Sequence, residues 1–229
     1  MALAKPERDD WRVQRVKAIG IVLAAVLSVG AAADDAAGLK EALRVATERA
    51  VASTSKTGGF LDNPKIRIGL PGSLGKMESA LRTVGMGTQV DQLEVSMNHA
   101  AEKATSEATP VFVDAIKGMS FQDASAIVTG GDTAATDYFQ KTTSGTLRTR
   151  FRPIVEEAMQ KVGVVQQYEQ LVGRYKSMPF ASSPNLDLTS YVTDKTLSGL
   201  FTVVGEEEKK IRTNPAARAT DLLKQVFGH

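Results

Sequence analysis

Between Val90 and Phe139 the chain alternates helix-periodic apolar runs with residues that stop and restart helices. That alternation leaves little room for anything but a set of short packed helices. Pro110, Gly118 and the Gly130-Gly131 pair are the stops. Ser120 and Asp132 are the starts, each with a side chain able to accept from the free N–H groups of a helix N-terminus. With Val90 at zero on a helical wheel, Leu93, Met97, Ala101, Ala104 and Ala108 fall on one side, the mark of a buried face. Glu94 lies at roughly 40° and Asn98 at roughly 80° from Val90, in or beside the apolar stripe at 3.6 residues per turn. A carboxylate there needs a partner, because buried charges are nearly always paired.

Two readings of Glu94 and Asn98 follow from their spacing of one helical turn. They are either a polar ligand grip inside the bundle, or a buried Glu tied to an Arg with Asn98 closing the network. Arg82 and Arg150, both in helical segments, are the candidate cations, and the structural reading carries more weight. Glu208 is a second carboxylate out of place. It lies between Val204 and Ile211, roughly 20° from Leu197 on the stripe of its own helix. Tyr138 faces inward with Phe139 and Ala135. It is placed either to reach Glu94 or simply to fill the core.

The rest of the chain repeats the helical theme. Gly38 to Lys56 forms a first helix ended by Gly58-Gly59. Phe60 to Pro71, with two prolines and the alternation Ile66-Arg67-Ile68, is an extended connector or a short strand packed on the bundle. A lone strand makes no sheet. Helices are expected over Gly72 to Val84, Ser144 to Val162 and Gly163 to Tyr175. Pro153 should kink the second of these at Arg152 or divide it. Met178 to Asn185 is a loop-rich break, Leu186 to Ile211 a helix or helix pair, and Asn214-Pro215 the start of a last helix docked by Leu222, Leu223 and Val226. The expected fold is therefore all-α, an irregular single-domain bundle of about eight to ten short helices with one extended connector near residues 60–71.

Several pieces together resemble the bacterial family known as domain of unknown function 4197. They are Gly58 to Pro64, Ile66 to Pro71, Glu94 with Met97-Asn98, Ala100 to Glu102, Gly130 to Phe139, Asp194 to Phe201 and Ile211 to Arg218. The resemblance covers about residues 38–228. It implies an all-helical exported protein without an assigned activity, and it brings no catalytic residues. Members often carry a lipoprotein-type signal ending in Cys, which has no counterpart in this chain.

Composition narrows the function classes. Residues 1–33 carry five basic and three acidic side chains, and the remainder carries 23 of each. The formal charge of +2 thus comes from the front, and no basic stripe with interleaved aromatics argues for nucleic acid. The chain has no Cys, which excludes disulfides, thiol nucleophiles and Cys-built zinc sites. The two histidines are His99 and His229. Glu-x-x-His pairs of di-iron bundles are absent, as are an EF-hand loop and a Gly-x-Ser-x-Gly elbow. Gly130-Gly131-Asp132 resembles a phosphate-binding turn, but Asp132 repels an anion and reads as a helix cap. No metal or cofactor is implied.

At the front, Lys5, Arg8, Arg12, Arg15 and Lys17 precede an apolar run from Ala18 to Ala33 that ends in small residues. These are the three parts of a secretory signal peptide. Its apolar run is shorter than the ~20 residues of a spanning helix. Cleavage is expected after Ala33, leaving residues 34–229 as one helical domain in the periplasm without a stable membrane anchor. The functional expectation is a non-catalytic binding or interaction module of the cell envelope, taking a small apolar ligand or an envelope protein partner. Glu94, Asn98, Tyr138 and Glu208 are its candidate ligand contacts. The alternative is a hydrolase or metal-assisted enzyme using Glu94 and Glu208 as inward carboxylates.

Overall fold

A computed structural model describes residues 37–161, 163–178 and 187–213. The expected leader at 1–33, the break around Met178 to Asn185 and the last helix from Asn214 fall mainly or wholly outside these residues. The described chain is all-α, with no strand in it. Helix α1 occupies 37–55. A 3-10 turn at Gly72–Leu74 leads into α2 (Gly75–Thr83), then α3 (Gly87–Thr105), α4 (Ala108–Lys117), α5 (Phe121–Thr129), α6 (Ala134–Lys161), α7 (Val164–Lys176) and α8 (Leu188–Thr213). None of these helices is long and apolar enough to cross a membrane.

Among the described residues the helices are slightly fewer than the sequence leads one to expect, because α6 is continuous where a division was possible, and both prolines act differently from their local signals. Pro110 does not stop a helix. It sits in the first turn of α4, where the missing N–H has no intrahelical acceptor in any case. Pro153 does not divide its helix, and α6 continues through it for 28 residues in all. That costs the Thr149 carbonyl its i+4 donor. Arg152, where a break was expected, instead reaches α8, its Nη1 donating to Ser190 Oγ at 2.7 Å and its Nη2 to Asp187 Oδ2 at 3.3 Å. Asp187 in turn accepts from the Ser190 N–H at 2.9 Å and so starts α8. The cap at Ser120 is as expected. Its hydroxyl accepts from the Asp123 N–H and the Asp123 carboxylate accepts from the Ser120 N–H, both at 3.1 Å, a reciprocal capping box.

The long helices α6 and α8 pack along each other, and α3 packs on both. The core between them is apolar and aromatic. Phe112 meets Phe139 edge-on at 5.1 Å between centroids and Phe201 at 6.3 Å, the arrangement ring quadrupoles prefer. Leu93, Met97, Leu147, Phe151 and Leu200 are fully buried around them.

The segment 56–71 contains no strand. It begins in successive turns and is irregular from 67 to 71. Gly58, at φ 78°, makes the left-handed turn out of α1 that a side chain would resist. The chain then lays Phe60, Ile66 and Ile68 into the core, all nearly inaccessible. Gly199 of α8 makes room for this, since a Cβ there would stand 2.5 Å from the Phe60 ring. The alternation Ile66-Arg67-Ile68 thus does what its pattern predicts, two side chains inward and one outward, without forming a strand.

Candidate functional site

An irregular segment packed on a helical core has no ladder to satisfy its backbone, so its buried N–H groups must find side chains. Helix α3 supplies them from one face. Asn98, fully buried, accepts from the Ile68 N–H at 2.8 Å and donates back to the Ile68 carbonyl at 2.8 Å. Its amide imitates a neighbouring strand. The second amide hydrogen goes to the Glu94 carbonyl at 2.7 Å. One turn before, Glu94 accepts from the Leu70 N–H at 3.4 Å and from Arg67 at 3.3 Å. One turn beyond, Glu102 accepts from the N–H groups of Phe60 and Leu61 at 3.1 and 3.2 Å. Its other oxygen pairs with His99 Nδ1 at 2.8 Å. From α8, the Tyr191 hydroxyl donates to the Gly69 carbonyl at 2.8 Å. Burial, and then the nearby Glu94 charge, push the Tyr191 phenol above its ordinary range.

The cation beside Glu94 is therefore Arg67, from the connector. Arg82 binds Glu78 and Asp91 instead, and Arg150 is exposed on α6. Glu102 was missed by the wheel, although Glu94, Asn98 and Glu102 repeat at i, i+4 and i+8, the spacing of a single row along a helix.

Glu208 does a different job. Nearly inaccessible, it accepts from the Ala135 and Thr136 N–H groups, each at 2.9 Å, and from the Thr136 hydroxyl at 2.7 Å. Arg212 holds it through Nε at 3.0 Å and Nη2 at 2.9 Å, and also donates to the Ile127 carbonyl. The free N–H groups opening α6, where the helix dipole favours negative charge, are thus satisfied from α8. This corrects the expectation that Asp132 caps this helix. Beside Glu208, Leu39, Ala42, Ala46 and Ile211 enclose a void of about 20 Å³, room for about one water.

These placements separate the four candidate contacts. Tyr138 donates to the Ala115 carbonyl at 3.0 Å, not to Glu94, and stacks edge-on against Phe139. Glu94 lies level with Tyr191, and Glu208 is about 25 Å farther along α8 at about 1.5 Å per residue. The two carboxylates cannot act on one bond or one metal ion. Among the described residues, no three acidic or histidine side chains gather to hold a metal.

An open recess lies elsewhere, between α1 and α4. Ala37, Val113 and Ile116 form its floor, Lys40, Glu41, Arg44 and Lys117 its rim, and its volume is about 550 Å³. Nothing local in the sequence marks it. It exists only because two helices far apart in sequence lie side by side.

An all-helical protein, with Glu94, Asn98, Glu102 and Glu208 engaged in holding its own backbone and an apolar-floored groove on its surface, is the class these features define. The chain belongs to the family described as protein of unknown function (DUF4197), whose profile matches residues 31–228. No curated protein and no solved structure matches it.

Proposed function

We propose that this protein is a non-catalytic binding module of the bacterial cell envelope, and that the α1–α4 groove is where it binds. The groove is the observation that carries this reading. Its volume of about 550 Å³ falls in the range of about 300–1,000 Å³ usual for small-molecule sites, and its apolar floor with a few polar groups at the edge is their usual composition. The engagement of Glu94, Asn98, Glu102 and Glu208 in internal hydrogen bonds supports assigning them to the frame. The basic, apolar, small-residue order of residues 1–33 supports export.

Native mass spectrometry of the protein, purified without denaturation from the cells that make it, tests both parts. A mass corresponding to residues 34–229 with a discrete retained adduct is the expected result, and Val113→Asp in the groove floor should lose the adduct. An uncleaved chain recovered from the cytoplasm rather than from the membrane would overturn the envelope assignment. A retained adduct indifferent to Val113→Asp, or a chain that never carries one and binds nothing added to it, would overturn the groove.

A further inference from the structure

We propose that the α1–α4 groove takes a single-chain amphiphile with an anionic head group, a molecule of the fatty-acid type. This rests on the binding-module reading and names its ligand class. The floor supplies the first half of the argument. Ile116 is nearly buried at its base, Val113 is partly exposed and Ala37 is exposed, so the surface offered is aliphatic and shallow. An alkyl chain lying along it removes that surface from water, which is favourable in proportion to the area covered.

The rim supplies the second half. Three cations face one carboxylate, and they are not equivalent. Arg44 is fully engaged, its Nε and Nη2 on Glu41 at 2.8 and 2.7 Å and its Nη1 on Glu48 at 2.7 Å. The Arg44 hydrogen bonds hold the Glu41 carboxyl below the usual carboxylate range, so Glu41 stays ionised and already paired. Lys40 of α1 and Lys117 of α4 have no carboxylate within ion-pair distance among the described residues. Lys117 stands in the last turn of α4, where the negative end of the helix dipole draws its ammonium back. Lys40 is then the stronger contact for a bound anion. Both stems can lie over the floor while the ammonium groups remain at the edge. Apolar floor and unpaired cationic edge together select a chain that ends in a negative charge.

Isothermal titration calorimetry of the full chain with three ten-carbon probes below their aggregation concentrations separates the alternatives. The probes are decanoate, decanol and decyltrimethylammonium. Decanoate should bind one site at least tenfold more tightly than decanol, with the cation weakest. Lys40→Glu should lose about tenfold in decanoate affinity and Lys117→Glu less, both leaving decanol unchanged, whereas Val113→Asp should lose both probes. Circular dichroism should show these surface variants folded. Equal affinity for decanoate and decanol, abolished by Val113→Asp, would overturn the head-group assignment while leaving the groove a binding site. Decanoate affinity untouched by all three variants, or no binding of any probe, would overturn the ligand class. A concentration-dependent dimer in sedimentation that Val113→Asp dissociates would overturn it in favour of a second copy of the chain.

Discussion

Two regions of this molecule solve one problem in opposite ways. Around the connector, helix α3 satisfies stray backbone groups of residues 60–70, and its central residue is a neutral amide, Asn98. At the start of α6, helix α8 satisfies two helix-opening N–H groups with a buried carboxylate, Glu208, backed by Arg212. The difference follows from what is being satisfied. Ile68 presents a donor and an acceptor side by side, which the separate N–H and C=O of an amide match. A helix N-terminus presents donors alone, with a partial positive charge behind them, which a carboxylate matches better. Its own charge then requires a buried cation, and Arg212 provides it at the next turn. The carboxylates at the two ends of the α3 row, Glu94 and Glu102, have their cationic or ring partners at the edge: Arg67 and His99 are each about half exposed. Glu102 is buried as deeply as Glu208; what separates the two is the partner, a half-exposed imidazole at one and a nearly inaccessible guanidinium at the other.

The comparison breaks most visibly at Glu208. Glu208→Ala should cost about 3–5 kcal/mol, because it breaks a buried ion pair with Arg212 and removes the acceptor of the Ala135 and Thr136 N–H groups. Urea unfolding followed by circular dichroism measures it. Replacing the pair together, Glu208→Leu with Arg212→Met, should recover part of the loss. Full recovery is not expected, since the Ala135 and Thr136 N–H groups still lack an acceptor. A single variant no less stable than the wild type would remove the argument that this carboxylate caps α6.

Next in size is the neutral site. Asn98→Leu keeps the volume but strands the Ile68 N–H and carbonyl, and should cost about 2–6 kcal/mol at about 1–3 per unsatisfied buried group. Hydrogen exchange should report the change locally, at Ile68, before the helices open. Asn98→Asp sharpens the contrast. It keeps the acceptor but brings a charge with no buried cation beside it, so it should be at least as damaging as Asn98→Leu at neutral pH.

How far these two regions could be read from sequence follows from the range of each signal. The periodicity that put Glu94, Asn98 and Glu208 on apolar faces is local, and all three side chains do point inward, with Asn98 and Glu208 fully within the core. The Ser120 cap and the inward pair Ile66 and Ile68 are local as well. What each inward group would meet is not local. Glu208 finds Ala135 and Thr136 more than seventy positions away, displacing Asp132 from the role its neighbourhood gave it. Glu94 found Arg67 in the connector rather than a helical arginine. Pro110 was read as a stop, and Pro153 as a kink or a division, because a proline's effect depends on the register of the helix around it, which packing sets. The groove of Lys40, Val113 and Lys117 is a property of two helices and of neither alone.

Packing tests the connector without touching its hydrogen bonds. Gly199→Ala drives a methyl to 2.5 Å from the Phe60 ring and 3.2 Å from Ile66 Cβ. Phe60 is fully buried and cannot swing away, so overpacking should cost about 2 kcal/mol. If the amide of Asn98 is what fixes the connector, Ile68 exchange should stay slow in Gly199→Ala although global stability falls. Equal acceleration at Ile68 and across α8 would mean that Phe60 and Ile66, not Asn98, set the position of the segment.

The smallest effect is the most diagnostic of the outer end of the α3 row. The Tyr191 phenol is raised by burial first and by the Glu94 charge second. A group whose folded-state pKa is raised contributes stability that is fully present below the unfolded value, about 10 for tyrosine. That contribution is lost as pH rises through the folded value. Stability should therefore hold to about pH 10 and decline above it, and Tyr191→Phe should flatten that limb. The same variant gives up the hydrogen bond to Gly69, which costs about 1 kcal/mol at neutral pH. Glu94→Gln keeps the acceptor for Leu70 but removes the charge, so it should lower the Tyr191 titration in a spectrophotometric measurement while changing neutral stability by about 1 kcal/mol or less, as for a partly exposed ion pair. A larger loss would place Glu94 with Glu208, as a charge on which the frame depends. An unchanged phenol titration would mean that the Glu94 carboxylate turns from Tyr191 toward Arg67 and solvent, leaving Asn98 and Glu102 to hold the connector.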